Sequence, residues 1–506
     1  MKRGRTLLVV TLIVALIVTG TVQSVAANRR HVLLRTNVAG SGQSLAAMNS
    51  FSLALVLGGL RGPLVMFLWT QSESQKSEKN LEGVETQIEW IRLLQPEFDS
   101  VHLFQIWNKA YNLSVQMASV SNKYSVILDA LDYAHNVDRE RPDDLNIIMA
   151  MAGVFNDKLS GSQEKKDYRA FMRRDTTYRQ QKKVDRVAGI RPTRYDSILD
   201  PAGNIRTDLL TPRFTQPPTT NPTAMESFYD GSDLQFLKRY EPFPYGVSPT
   251  GLAYNYFKRT QTLQRTSGQR HLQMSAMVID SRAAVAIKSW SEEEHELGTR
   301  SEAAYWGVKV PVDRFDVITA VTDHAPQAAA GDKDAATNAA YVQATYQYSL
   351  ARRLMEDAAT EFRDHLSNPD YYMAHADQYR SQIEHIAAAQ RLMRGDELYL
   401  QAARAEGVQR TELLATAKQA YAEAARRFAI LRLRYFLDDG VVSTGVFPAG
   451  VNKQNLEMLA DAPIQEIIRA ADLRIEKLPY DPNVDETREY NTYIQHSLKR
   501  ADLCRN

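Results

Sequence analysis

The chain has 506 residues, 44% of them hydrophobic and 24% charged, with a formal net charge of +1. That length accommodates roughly two to four domains, and the apolar supply is enough for folded cores, which argues against wholesale disorder. The near-zero net charge excludes a polyanion binder acting through its overall field. The single cysteine, Cys504, excludes an internal disulfide or a cysteine-based zinc site.

The first predicted element is an anchor over residues 1–27. Lys2, Arg3 and Arg5 precede Thr6 to Ala27, 22 residues without a charge, and a spanning helix needs about 20. Val25-Ala26-Ala27 also fits a cleavage site, so a removed signal peptide is the alternative. Arg29, Arg30 and Arg35 nearly balance the charges before the segment. The first helix usually sets orientation, which places the short tail in the cytoplasm and the large body outside it, in a single-pass cell-membrane protein. Residues 28–50 read as a juxtamembrane linker with a flexible Gly40-Ser41-Gly42.

A helical domain is predicted over 51–160. Its opening stretch, Phe51 to Trp69, has spanning length but carries Arg61 beside Gly62 and Pro63. An Arg at the bilayer centre costs about 2.5–3.5 kcal/mol, so a buried or interfacial helix is expected and a second span is the alternative. Val84, Ile88 and Ile91 precede Pro96 by the same offsets at which Ala130, Ala134 and Val137 precede Pro142. This is the pattern of the second helix of a tetratricopeptide (TPR) repeat. Gly58-Gly59-Leu60-Arg61-Gly62 with Leu68-Trp69, and Leu94-Gln95-Pro96 with the run Ile106 to Ser114, resemble a group of uncharacterised bacterial membrane-anchored proteins with TPR-like helices. The resemblance covers roughly residues 55 to 160. It implies an anchored helical scaffold and supplies no catalytic residues.

Residues 161–250 read as a basic stretch followed by a proline-rich connector. From 163 to 194 there are eleven Lys or Arg against four Asp or Glu, and from Pro192 to Pro249 lie nine of the nineteen prolines. Lys165, Lys166, Arg169, Arg173, Arg174, Arg179, Lys182 and Lys183 are the candidates for binding an anionic partner. Lipid headgroups suit them at about 1 kcal/mol per basic side chain near a membrane surface. Nucleic acid is the less favoured partner, and a solvated, partly neutralised face is the simpler reading.

Residues 251–325 read as a helical segment and 333–480 as a long-helix bundle, with a C-terminal tail over 481–506. Tyr341, Ala344, Tyr348, Ala351, Met355, Ala358 and Phe362 recur at steps of three and four, as do Leu414, Ala417, Tyr421, Ala424, Phe428, Leu431 and Tyr435. Tyr372, Ala376, Tyr379, Ile383, Ile386 and Met393 keep a looser version between them. Such seams pack helices side by side at a shallow angle, within one chain or between chains.

Catalytic and metal motifs are sparse. Glu292 and His295 have the spacing used in di-metal bundles, but no second Glu-x-x-His accompanies them. Glu361 and His365 share one helix face without further support. No phosphate-binding glycine loop, nucleophile elbow or His-Glu-x-x-His is present. Asn112-Leu113-Ser114 matches a glycosylation acceptor but falls inside a predicted helix, which argues against that use, and the five tryptophans, Trp69, Trp90, Trp107, Trp290 and Trp306, are expected to be packing anchors. No metal, no cofactor and no enzymatic activity are expected. The sequence points to an all-α fold: a transmembrane anchor, degenerate TPR-like repeats and a C-terminal long-helix bundle. Its expected role is a non-catalytic, membrane-anchored scaffold for unknown protein partners. An envelope protein self-assembling through its C-terminal helices is the alternative, as is an anionic lipid or polyanion binder.

Overall fold

The computed structural model describes residues 61–77, 81–94, 99–141, 144–173, 248–267, 276–309, 314–324, 338–366, 369–435, 456–459, 462–475 and 485–504. Every regular element among them is helical. The chain divides into two compact units, residues 1–171 with 263–273 and residues 172–262 with 274–506.

In the first unit, α1 (Arg61–Ser77) and α2 (Leu81–Leu94) form an antiparallel pair. Val65 and Leu68 of α1 meet Ile88, Ile91 and Leu94 of α2 and Val101 of the next helix, with Trp69 and Phe104 packed on that core. The repeated triplets thus face inward where their side chains are described: Ile88 and Ile91 in one helix, Ala130, Ala134 and Val137 in another. Helix α3 runs from Asp99–Trp107 through a π-helical stretch, Asn108–Leu113, to Ser114–Gln116. The Asn112-Leu113-Ser114 triplet lies in it, and Ser114 Oγ donates to Ala110 O at 2.6 Å.

Helix α4 (Val120–Glu140) starts at Ser119, whose Oγ accepts from Asn122 N at 3.1 Å. Helix α5 (Leu145–Gly153, with a π-helical end Val154–Leu159) starts at Asp144, which accepts from Asn146 N and Ile147 N. Such caps satisfy amides that the first turn leaves without partners, each contributing about 1 kcal/mol. Arg141, between α4 and α5, is ion-paired with both Asp99 and Asp144. A further helix, α6, covers residues 165–173 across the boundary between the units.

Two tryptophan expectations fail here. Trp90 and Trp107 are about half exposed, because Ile88, Ile91 and Leu94 fill the buried face of α2, while Trp107 leans on Phe104 from outside the core. No described helix is long and apolar enough to cross a membrane. Thr6 to Ala27 and Phe51 to Leu60 lie outside the described residues. The remaining part of the second apolar stretch begins α1, with Val65 and Leu68 buried and Met66 and Phe67 exposed.

The second unit contains most of α7 (Pro249–Ser267), then α8 (Ala276–Tyr305), α9 (Arg314–His324), α10 (Ala339–Leu366), α11 (Pro369–Arg404), α12 (Gly407–Tyr435), α13 (Ile464–Ile475) and α14 (Asp485–Leu503). Neighbours pack in the order α8, α10, α11, α12 and α14, and α9 contacts both α8 and α14. The apolar seams do what their period requires. Tyr341 through Phe362 on α10 and Leu414 through Leu431 on α12 are buried at every seam position, as are Ile386 and Met393 on α11. The side chains of Tyr372, Ala376 and Tyr379 lie outside the described residues.

Two glycines bring the helices close. A Cβ on Gly298 would sit 2.7 Å from the Tyr348 ring, and one on Gly395 would sit 2.6 Å from the Tyr421 ring. The rings of Tyr348 and Tyr421 therefore lie against bare backbone. Gly307, at φ +69°, ends α8 in a Schellman turn, with Val308 N bonded to Ala303 O and Gly307 N to Ala304 O.

Two boundaries differ from expectation. The bundle includes α8, whereas the sequence sets residues 251–325 apart as a separate helical segment. Residues 481–506, expected as a tail, contain α14, which packs on α12 and buries Tyr490, Tyr493, Ile494, His496, Arg500 and Cys504. His496, Ser497 and Arg500 are buried among them, so the hydrophobic period that marks α10 and α12 is broken in α14.

Candidate functional site

Helix α8 turns a polar stripe into the second unit. Lys288, Glu292, His295, Thr299, Glu302 and Trp306 follow one another at steps of four and three, which keeps them on one face. Glu489, Tyr493, His496 and Arg500 do the same on α14. Helices α9, α10, α11 and α12 add partners, and the groups meet in three layers.

The central layer is built on Asp396 of α11. Its Oδ2 lies 2.7 Å from His295 Nε2, and its Oδ1 lies 2.8 Å from His496 Nε2 and accepts from the Tyr421 hydroxyl at 2.7 Å. All four side chains are buried. Burial alone would push the Asp396 carboxyl up, but the imidazoles of His496 and His295 outweigh it and hold the group well below the ordinary carboxylate range. An ionised Asp396 only accepts, so both imidazoles carry a proton on Nε2. The Tyr421 hydroxyl is pushed well above its usual value by burial and then by the Asp396 charge.

One side of this layer holds Glu302 and Arg500, which are 1% and 0% exposed and 2.8 Å apart. Glu302 also accepts from Tyr348 at 2.6 Å and from Trp306 Nε1 at 3.0 Å, and Arg500 lies 4.3 Å over the Tyr399 ring. On the other side are Glu292 of α8, His385 of α11 and Glu489 of α14. One ligand atom from each lies within 4.8 Å of the other two. Lys288 Nζ is 3.1 Å and His385 Nε2 3.3 Å from Glu292 Oε1, and Arg314 of α9 bonds Glu489 at 3.1 Å and the Tyr493 hydroxyl. Burial opposes ionisation of Glu292, yet Lys288, His385 and Arg314 hold its carboxyl well below the usual range.

A second buried cluster lies beside the stripe. Arg173 bonds Glu293 at 2.8 Å and Glu294 at 2.5 Å; Ser248 and Thr250 each donate to Glu293 at 2.6 Å, and Trp290 Nε1 donates to Glu294 at 3.1 Å. This corrects one expected site residue. Arg173, expected at the surface for an anionic partner, is 8% exposed and neutralised internally by two carboxylates. Its neighbours Tyr168 and Phe171 are buried beside Tyr124, which turns this edge of α6 inward. Of the other candidates, Lys165 and Lys166 are exposed and Arg169 is partly buried, donating to Ser160 O at 3.3 Å. Arg174, Arg179, Lys182 and Lys183 lie outside the described residues.

The Glu292–His295 pair does face the interior, but its partners come from α11 and α14 rather than from a second copy of the motif. Glu361 engages Lys258 at 2.8 Å and the Tyr254 hydroxyl at 2.9 Å; the His365 side chain lies outside the described residues. Sequence reasoning missed Asp396, His385, His496 and Arg500. The available signal was the step of four, three and four through Glu489, Tyr493, His496 and Arg500, which is a seam written in polar residues. In the first unit, a surface cavity of about 410 Å³ is lined by Arg92 of α2 and by Tyr133, Asn136, Val137, Arg139 and Glu140 of α4.

Comparison with known proteins yields no family model, no curated protein and no solved structure that matches this chain.

Proposed function

We propose that the protein is a membrane-anchored, non-catalytic scaffold that holds a protein partner through its TPR-like helices. The observation that carries this reading is the cavity between α2 and α4, the two helices that bear the repeated triplets. Its rim offers two arginines, a glutamate, an asparagine and a tyrosine, a set suited to hydrogen-bonding an extended polar peptide. The buried acids and bases of the second unit fit the same reading. Asp396, Glu302, Glu293 and Glu294 are hydrogen-bonded inside the bundle, where a catalytic group would face a substrate cleft. Thr6 to Ala27 supplies the tether. The exposed Lys165 and Lys166 favour a second role at an anionic membrane surface.

Photo-crosslinking in native membranes tests the partner site. A photoreactive amino acid at Asn136, on the cavity rim, is expected to give a defined adduct with another protein. The same group at exposed Val408, in the second unit, is expected to give none. Arg92→Glu with Arg139→Glu should abolish the Asn136 adduct. Identical adducts from both positions, or none at Asn136, would overturn the assignment.

A further inference from the structure

We infer that Glu292, His385 and Glu489 form a binding site for one divalent transition-metal ion of the zinc class, joining α8, α11 and α14. This goes beyond the scaffold reading and does not depend on it.

Zinc takes His nitrogen and carboxylate oxygen at about 2.0–2.2 Å, so two ligands at the tetrahedral angle lie about 3.3–3.6 Å apart. Glu292 Oε1 and His385 Nε2 are already 3.3 Å apart. An oxygen of Glu489 completes a set whose members all lie within 4.8 Å of one another, within reach of a small side-chain adjustment. One imidazole with two carboxylates suits borderline metals.

The site also leaves a carboxylate oxygen without a hydrogen bond. Glu292 Oε1 is buried and receives none of adequate geometry, although two cationic or potentially cationic nitrogens stand at ion-pair distance. His385, buried with its side chain 8% exposed, is aimed at the same oxygen. Its ring is fixed by Phe428, edge-on with centroids 5.8 Å apart, and by Tyr490 at 6.1 Å. Arg314, itself held by the Tyr493 hydroxyl, orients Glu489. Outer partners of this kind hold ligands in place in metal sites. A carboxylate has two oxygens, so Glu489 can keep Arg314 on one and offer the other.

Charge sets the condition for binding. Glu292 and Glu489 are balanced by Lys288 and Arg314, so with an uncharged His385 imidazole the layer is neutral without a metal. The ion competes with Lys288 for Glu292 Oε1, and Lys288 is a flexible ammonium on its own helix turn, able to swing away. The site therefore has a signature that an ordinary ion-pair cluster lacks: removing Lys288 should strengthen metal binding.

The test uses full-length protein in detergent, stripped with a chelator and titrated with Zn²⁺ by calorimetry and with Co²⁺ by visible absorption. One equivalent is expected, with a Co²⁺ spectrum of low coordination number and a thermal midpoint that rises with added Zn²⁺. His385→Gln and Glu489→Gln should each weaken binding by at least about tenfold, and Glu423→Gln, on the outer face of α12, should leave it unchanged. Lys288→Ala should tighten binding, and this variant keeps the inference testable if the ligand variants misfold. Absence of stoichiometric binding, equal binding in both ligand variants, or unchanged or weaker binding in Lys288→Ala would overturn it.

Discussion

Asp396 accepts hydrogen bonds from side chains on three other helices, so its removal strands more than one donor. Breaking a buried charged cluster from one side typically costs about 3–5 kcal/mol, and Asp396→Ala should fall in that range by chemical denaturation. The pH dependence follows from the depressed carboxyl. A depressed acid contributes stability at pH values above its unfolded pKa, near 3.8. That contribution declines as pH falls below this value, because the unfolded chain takes up the proton first. The stability difference between wild type and Asp396→Asn should therefore shrink by about 1.4 kcal/mol per pH unit below pH 4. A difference that stays constant from pH 6 to pH 3 would show that Asp396 is not held ionised by its histidines.

At the same scale, Gly395 separates propensity from packing. Alanine is favoured over glycine inside a helix by about 1 kcal/mol. A Cβ there would meet the Tyr421 ring at 2.6 Å, so Gly395→Ala should destabilise despite the propensity gain. Phe428, fully buried against His385, Tyr490 and Tyr493, should cost about 3–5 kcal/mol when cut to alanine. Glu423 forms solvent-accessible ion pairs with Arg427 at 2.8 Å and Arg391 at 3.0 Å. Glu423→Ala should cost no more than about 1 kcal/mol.

Among the elements, α10 and α12 were legible because their seams are written in Tyr, Phe, Met and Ala. Their period was recognisable without knowing what they touch. Helix α14 was not legible, since its inward positions include Glu489, His496 and Arg500, which read as a solvated face until Asp396 and Glu302 are found opposite them. The central layer draws on four helices, with up to 201 residues between His295 and His496, so no local spacing announces it. The burial of Arg173 is hidden in the sequence for the same reason, because its carboxylate partners lie 120 and 121 residues away. The placement of α14 predicts that truncation after residue 484 strands Glu302 and Asp396 and exposes the α12 seam. Circular dichroism of that truncation should retain helix while thermal unfolding loses its cooperative transition. A cooperative transition at the wild-type midpoint would mean that α14 is dispensable to the bundle.

For the whole molecule, an uncharged N-terminal run precedes two helical units whose described helices are all too short or too polar to span a bilayer. Met66 and Phe67 on α1 are among the exposed apolar side chains of the described residues, and they would meet a membrane without that run. The most direct measurement is fractionation of the full-length chain and of residues 28–506, each after a high-salt, alkaline wash of the membranes. The account predicts that the full-length protein stays in the membrane pellet and that residues 28–506 are recovered, folded and helical, in the supernatant. Retention of 28–506 in the washed pellet, or release of the uncleaved full-length chain, would contradict it.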